Sequence, residues 1–363
     1  MSRLKTARGK RGRRGRGSSR APTFTIPRLA RWAGVGVFVC GLALSCDDGP
    51  SEPTGNKEGV VYALRWYEDT TNLALVKFDA ADGTRLGTYP VKDYKRDELR
   101  AVGVNRRNGD VYLAFVRGFV RMGSEGWIYF DRDFYLCSIN PGTRVLVDAG
   151  GNRVWVNDGD TFNLHDAVTG DLMRTIRPIG NGAVSEYDNT LVAAASPLGP
   201  TELVKLSKDG DELWRREVFP ERRTCVCMAV DPADGTIYVI SDNEREPVSN
   251  YYFQKITRGG EVLFDKEIDW PYGTRAEVSA LDGTIWAAQW HAFHINAEGE
   301  ILKELTDRYY YVPALSRVSN TIFFLASGPT RASVLLAMDT ETYRVLWSVR
   351  LENVERFASW ANP

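Results

Sequence analysis

The chain has 363 residues, 43% of them hydrophobic and 11% aromatic, with a formal net charge of −1. Such a chain can bury a large core, which excludes a bulk-disordered polypeptide. The near-neutral total hides an uneven distribution: residues 1–46 carry eleven Lys or Arg and no Asp or Glu, leaving 35 basic against 47 acidic residues in the remainder.

Residues 1–31 are basic and 32–45 (WAGVGVFVCGLALS) are uncharged. A positive stretch, an apolar stretch and then a small residue is the layout of a secretory signal. An uncharged run of 14 residues falls short of the roughly 20 needed to span a bilayer, so a cleaved signal is expected rather than a permanent span. Arg13-Arg14 lies too far before this run, in a Gly-Arg-rich context, to read as a twin-arginine signal. A leader that is removed never meets nucleic acid, so no nucleic-acid partner is expected from the basic stretch.

Ala43-Leu44-Ser45-Cys46 closes the apolar run and resembles the lipobox of bacterial lipoproteins, with Ala43 where that family usually has Leu. The resemblance implies that Cys46 is lipidated and becomes the new N-terminus, tethering the protein to a membrane outside the cytoplasm. Two or more acyl chains make such a tether durable. The alternative is an ordinary signal that leaves Cys46 as an incidental thiol. Residues 47–58 (DDGPSEPTGNKE) are acidic, contain Pro and Gly, and lack apolar periodicity, which reads as a flexible spacer.

From residue 59 to 363 one pattern repeats: a polar turn and then a β-branched or aromatic run, as in 231–241 (DPADGTIYVIS). The runs begin at Val60, Val111, Val154, Leu191, Ile237, Ile285 and Ile322, a spacing of 37 to 51 residues. A period of about 40 to 50 with several short strands per unit predicts a β-propeller. A second recurring element joins the third and fourth strands of each unit: FDAADGTRLG from Phe78, HDAVTGDLMRT from His165, LSKDGDELW from Leu206, ITRGGEVLF from Ile256, INAEGEILK from Ile295 and MDTETYRVLW from Met338. Gly stands in five of these six because the tight connection needs positive φ. These turns, with Trp214 and Trp347 after them, resemble the quinoprotein-like (PQQ-like, YVTN-type) propeller repeats. That resemblance implies a fold rather than a chemistry.

The first unit starts at its second strand, and the tail 356–363 (RFASWANP) matches the first-strand segments 100–106 and 228–232. The expectation is therefore an all-β, seven-bladed propeller closed by the C-terminal strand, since a ring removes sheet edges. Segment 117–126 reads as a long insertion in the second blade, with that blade's outer turn at Asn140-Pro141-Gly142; six or eight blades are the alternatives. In propellers the connections from second to third strand and from fourth to the next first strand share a face. The long ones here, 66–72, 92–99, 117–126, 242–250, 269–275 and 306–312, carry Trp66, Tyr67, Tyr94, Trp270, Tyr272, Tyr309, Tyr310 and Tyr311 to that face, with Arg222, Arg223, Arg275 and Arg308 nearby. Exposed aromatics with Arg are what binding surfaces are enriched in; rings that plug the channel or cap blade edges are the plainer reading.

Chemistry-bearing groups are sparse. His291 and His294 are three apart and on one strand face opposite sides, so no metal is expected. Cys225 and Cys227, two apart, share a strand face; with Cys137 they make three thiols, too few for a four-thiolate zinc site, and Cys137 has either of the others as a possible disulfide partner. Segment 242–246 (DNERE) reads as a solvated loop before it reads as a Ca²⁺ site. Quinone-dependent dehydrogenases of the resembling family place adjacent cysteines over their cofactor, and this chain has no adjacent pair; no cofactor is expected. No Gly-rich phosphate loop or Gly-x-Ser-x-Gly elbow occurs. The expected function is that of an exported, lipid-anchored binding or scaffold module at the cell envelope. Its expected form is a monomer that meets an envelope protein or polymer, by analogy with propeller lipoproteins of envelope assembly. The second reading is an enzyme, a lyase or lactonase type with a metal in the central channel.

Overall fold

The computed structural model describes residues 59–66, 73–91, 99–133, 144–148, 150–158, 161–177, 180–195, 202–219, 223–243, 250–268, 275–316, 319–327 and 333–351, with the backbone of Val39–Ala43. Among these residues the regular structure is all β: 26 strands and no helix. They form antiparallel sheets in chain order: β1–β4 (Val39–Ala43, Val60–Trp66, Leu73–Asp79, Arg85–Val91), β5–β8 (Leu99–Val104, Val111–Phe115, Gly118–Met122, Ile128–Arg132) and β9–β12 (Arg144–Val147, Arg153–Asn157, Phe162–Asp166, Leu172–Ile176). Next come β13–β16 (Gly182–Ser185, Thr190–Ala195, Glu202–Leu206, Glu212–Glu217) and β17–β20 (Arg223–Val230, Ile237–Asn243, Tyr251–Ile256, Val262–Ile268). The last sheet has six strands, β21–β26 (Arg275–Val278, Ile285–Ile295, Ile301–Leu315, Thr321–Ser327, Ser333–Asp339, Val345–Arg350).

The recurring apolar runs are second strands, and each begins within one residue of the position that the repeat marks. They read as nearly continuous apolar runs because both of their faces are covered. Every residue of β6, β14 and β24 is buried. Outer strands are exposed over most of their length, as in β12 and β20.

The six-stranded sheet is two arrays sharing one long strand. β23 pairs with β22 from Ile301 to Leu305 and with β24 from Tyr309 to Leu315. β22 itself pairs with β21 along Ile285–Ala288 and with β23 further on. Trp290 at its middle has φ of 70°, and beyond it His294 returns to within 2.8 Å of Thr284. The segment 306–312, expected as a loop, is therefore continuous strand. So is most of 117–126: β7 occupies Gly118–Met122 after a two-residue connection, and the turn to β8 is at 123–127, closed by Gly123 N–H on the Trp127 carbonyl at 2.8 Å. The turn expected at Asn140-Pro141-Gly142 lies outside the described residues.

Apolar clusters lie between sheets. One joins β5–β7 to β9 and β10 through Tyr112, Phe119, Val145 and Val154. Another joins β2 and β3 to β23–β25, so the last strands pack on the first through Val61, Leu75, Phe323 and Leu335. First strands are neighbours in order: β1 beside β5, then β9, β13, β17 and β21, with β21 and β1 both beside β23.

The turns before the outer strands are the second kind of joint. Asp79 N–H binds the Thr84 carbonyl, Gly83 N–H binds the Asp79 carbonyl, and the Asp79 carboxylate accepts from Ala81 N–H, which fixes one such turn. Side chains from the outer half of one sheet sit on the turn glycine of another: Tyr89 on Gly126, Phe130 on Gly170, Arg174 on Gly210, Trp214 on Gly260, Phe253 on Gly299, and Trp347 on Gly83. Trp214 also donates to the Arg258 carbonyl at 3.1 Å and Trp347 to the Ala80 carbonyl at 3.0 Å. The sixth turn has Tyr343 where the others have Gly, at φ of 57°. A bulky residue in that region is strained, and its contacts offset the strain: its hydroxyl lies 3.0 Å from His294 Nδ1, and Lys303 Nζ lies 5.7 Å from its ring centre.

The edge of β2 that the sequence reserved for the C-terminal tail is paired with Val39–Ala43, from Val39 opposite Ala63 to Ala43 opposite Val60. A buried strand needs a partner for its backbone on both edges, and this stretch supplies one; residues 352–363 lie outside the described residues.

Gly83 combines φ of 74° with a site where an added Cβ would stand 2.6 Å from Trp347 Cε3. Gly83→Ala is therefore expected to lower the unfolding free energy by roughly 1–3 kcal/mol. Gly259→Ala, with only Thr257 Oγ1 at 3.7 Å, should change it by less than about 0.5 kcal/mol. Urea titration of both variants checks the pair; equal losses would refute the packing argument.

Candidate functional site

The first strands β5, β9, β13, β17 and β21 each pair along one edge and turn the other edge to a cavity, while their side chains pack into the clusters between sheets. This cavity, about 270 Å³, is lined by β5, β9, β13, β17 and β21 together with Pro313 of β23. The strands run the same way along it: Arg144 at the start of β9 donates to the Gly182 carbonyl at the start of β13 at 3.5 Å. Beyond their ends, Arg106 meets Glu186.

Charge is segregated along the cavity. Arg144 and Arg275 each open a lining strand, at the end where the strands start. Burial lowers the pKa of Arg144, against the opposing pull of Cys227 and Cys225 on β17. At the other end Arg106 lies between two carboxylates, paired with Glu186 and 3.5 Å from Glu277. Burial works against the Arg106 charge, but Glu186 and Glu277 outweigh it and raise its pKa. Glu277 also accepts from Leu315 N–H at 3.0 Å. One guanidinium therefore ties β5, β13 and β21 together, and through Glu277 the end of β23. Asp148 lines this end too, and accepts from Asn152 N–H and Arg153 N–H. Between the ends lie Val102, Val145, Met228, Val230 and Val278, which also belong to the clusters between sheets.

Where the strands start, Tyr309 is 54% and Trp290 43% exposed, and Trp290 is paired with Tyr310 across β22 and β23. Tyr310 itself is buried, donates to Asp307 Oδ1 at 2.6 Å and packs edge-on against Phe324. It is core, contrary to its expected place on a binding face, because alternate residues of a strand point to opposite sides. Tyr311 is half-buried against the cluster that joins the last strands to the first. Arg223 is engaged within its own sheet, 2.6 Å from Asp265 and stacked 3.3 Å over the Tyr252 ring. Arg275 lines the cavity rather than an outer rim. Trp66 ends β2; its side chain and Tyr67, Tyr94, Arg222, Trp270, Tyr272 and Cys46 lie outside the described residues.

Reading the sequence missed Trp290, Arg144 and the Arg106–Glu186–Glu277 group. Arg106 and Glu186 each follow the end of a first strand, so aligning the repeats by their first strands rather than their second would have brought them out. Exposed apolar rings also occur away from the cavity, as at Trp127 and Tyr129 around the start of β8.

The histidines are structural. His291 lies 3.0 Å from Glu304 at the surface. His294 is buried and stacked on Trp286 at 4.4 Å. Thr284 donates to Asp282, so its hydroxyl accepts from His294 Nε2–H, and His294 Nδ1 accepts from the Tyr343 hydroxyl. No group of three or more His, Cys, Asp or Glu among the described residues could hold a metal. Cys225 and Cys227 do not share a face. A bulge between them puts Cys225 opposite Ser241 and Cys227 opposite Ile240, and they enter different clusters. Both are free thiols, and burial raises both pKa values, that of Cys227 to about 12. Cys137 lies outside the described residues.

A scan of the chain against protein-family models returns no match, and neither does a comparison with curated proteins.

Burial lowers the pKa of His165, against the bond from its Nδ1–H to the Gly170 carbonyl, and lowers that of His294 against the pull of Asp282. Unfolded histidine titrates near 6.5. Below about 6.5 the unfolded chain thus holds more protons than the folded one, and stability falls with pH until the folded values are reached. Urea unfolding at pH 7.5 and 5.5 should show this loss, and His165→Asn or His294→Gln should each remove a share of it. An unchanged pH slope in both variants would contradict the assignment.

Proposed function

We propose that this protein is a closed seven-bladed β-propeller, exported and lipid-anchored through Cys46, that works by binding a partner at the cell envelope. The observation that carries the propeller reading is the contact of Trp347 with Ala80 and Gly83. It repeats, between the last strands and the first, the contact of Trp214 with Arg258 and Gly260 in consecutive sheets. A structure whose last unit meets its first as neighbours meet elsewhere is a ring. Dividing the six-stranded sheet at β23 makes the units seven, each with four strands once the return of β22 after Trp290 is counted separately.

Cleavage before Cys46 removes Val39–Ala43 and reopens the inner edge of β2. The tail 356–363, which carries the first-strand pattern, then takes that edge. In protein beginning at Cys46, deleting residues 356–363 should lower Tm by several degrees; an unchanged Tm would remove the tail from the ring.

Binding is favoured over catalysis because the residues that gather at one end of the structure, Tyr309 and Trp290 above the Arg144 and Arg275 end of the cavity, are contact-forming groups. His165, His294 and the thiols of Cys225 and Cys227 are engaged within the core instead. The partner is an envelope protein or polymer, and the acyl chains on Cys46 hold the protein at the membrane. Crosslinking in native cells, with labelled palmitate alongside, tests this. Tyr309→Ala and Trp290→Ala should each reduce the crosslinked partner several-fold at unchanged Tm, and Cys46→Ala should abolish the label. Undiminished crosslinking in both aromatic variants would overturn the contact face.

A further inference from the structure

We propose that the turn carrying Trp127, with Tyr129 and Val168 beside it, seats on a lipid surface, its aromatic rings entering the headgroup region of the membrane. The direction of seating rests on the tether at Cys46 in the proposed function, whereas the affinity for lipid belongs to the patch alone.

The first observation is a break in the repeat. In each turn before an outer strand one residue takes positive φ, and the residue after it leads into the strand. After Gly83, Gly170, Gly210, Gly260, Gly299 and Tyr343 that residue is Thr84, Asp171, Asp211, Glu261, Glu300 and Arg344, all of them polar. After Gly126 it is Trp127, 75% exposed. Exposed leucines such as Leu213, Leu263 and Leu346 recur at the openings of outer strands and belong to the repeat. An indole where the six other turns are hydrophilic does not.

The second observation is that the exposed groups are gathered. Tyr129 is 60% exposed, and Val168, in the turn of the next sheet, is 62% exposed. Arg121 joins them, lying 4.5 Å over the Tyr129 ring and donating to the Val168 carbonyl at 3.3 Å. A gathered apolar patch with a polar rim marks a contact site. The cations around this one are paired: Arg121 with Asp110, Lys77 with Glu125 and Arg132 with Asp171. The chain after residue 46 holds 35 basic against 47 acidic residues, so attraction to anionic headgroups is not the source of binding. Trp and Tyr, with an apolar body and one polar edge, favour the membrane interface without it.

The third observation is place. The Gly59 carbonyl accepts from Ala80 N–H at 3.2 Å, in the turn of the first sheet. The turn that leads to Trp127 lies against that same sheet: Lys77 Nζ donates to the Ser124 carbonyl at 3.2 Å, and Tyr89 covers Gly126. Both turns stand at the end where second strands start, Val60 being opposite Asp79 and Val111 opposite Met122. The thirteen residues from Cys46 to Gly59 reach at most roughly 45 Å. An acylated Cys46 therefore holds the bilayer near the end that carries Trp127, and the rim at Trp290 and Tyr309, where first strands start, is left to the envelope partner. Tethering raises the local concentration of lipid, so a patch of low intrinsic affinity suffices.

Flotation with phosphatidylcholine vesicles, with and without phosphatidylglycerol, tests the seating on the processed chain carrying Cys46→Ser, in which no acyl chain contributes. Saturable binding to phosphatidylcholine is expected, raised by less than about twofold when phosphatidylglycerol is added. Trp127→Ser and Tyr129→Ser should each weaken it about threefold or more, and together about tenfold, at unchanged Tm. Leu263→Ser should leave it unchanged. No binding to phosphatidylcholine, binding only with phosphatidylglycerol, or equal loss in Leu263→Ser would each overturn the proposal. So would a dimer in lipid-free sedimentation that Trp127→Ser dissolves, since the patch would then belong to a second copy. The palmitate label reads the tether separately, so failure of the patch and failure of the anchor are distinguishable.

Discussion

The arrangement depends on one contact made repeatedly: a side chain from the outer half of one sheet lying flat on the turn of another. Trp214 and Trp347 show it most fully, each closing an indole hydrogen bond on a backbone carbonyl while its ring covers a glycine. The contact requires a turn with no side chain at its crest, and a left-handed glycine meets both conditions at once. The sixth turn departs from the rule. Tyr343 accepts the strained conformation and uses its hydroxyl to hold His294, so the joint there is made by a hydrogen-bonded chain through Thr284 and Asp282.

Stacking sheets through these joints fixes the gradient of burial along each unit. Second strands are covered on both faces and become uniformly apolar. Outer strands are left at the surface, and their opening residues stay exposed even when apolar, as at Val262, Leu263, Val345 and Leu346. First strands pack side chains on their neighbours and turn their unpaired edge to the cavity. Polar and charged groups that would be costly in the core are tolerated there, which is why Arg106, Glu186 and Glu277 meet in the interior. They come from three different sheets, so the ion group also links the sheets across the cavity.

The same geometry separates structural from available chemistry. The thiols of Cys225 and Cys227 and the ring of His294 are engaged in packing and held in their neutral forms by burial. What remains accessible is the polarised cavity and the aromatic rim at Trp290 and Tyr309.

The repeat spacing, the Gly-bearing turns and the apolar second strands were all legible in the sequence, because each is a local consequence of chain geometry: a tight turn needs positive φ, and a doubly covered strand needs apolar residues throughout. Val60, Val111, Ile237 and Ile285 open second strands where the repeat marked them. The tertiary structure decided what local pattern does not encode. Tyr309 and Tyr310 are alike in sequence, yet one is exposed and the other is core, since only the partner strands determine which side of β23 is covered. Cys225 and Cys227 were separated by a bulge that no spacing announces. Arg106, Glu186 and Glu277 are as much as 171 residues apart in the chain, and they became one group because sheets far apart in sequence turn their first strands to a common space. Periodicity is a property of neighbours along the chain, whereas a site is assembled from neighbours in space.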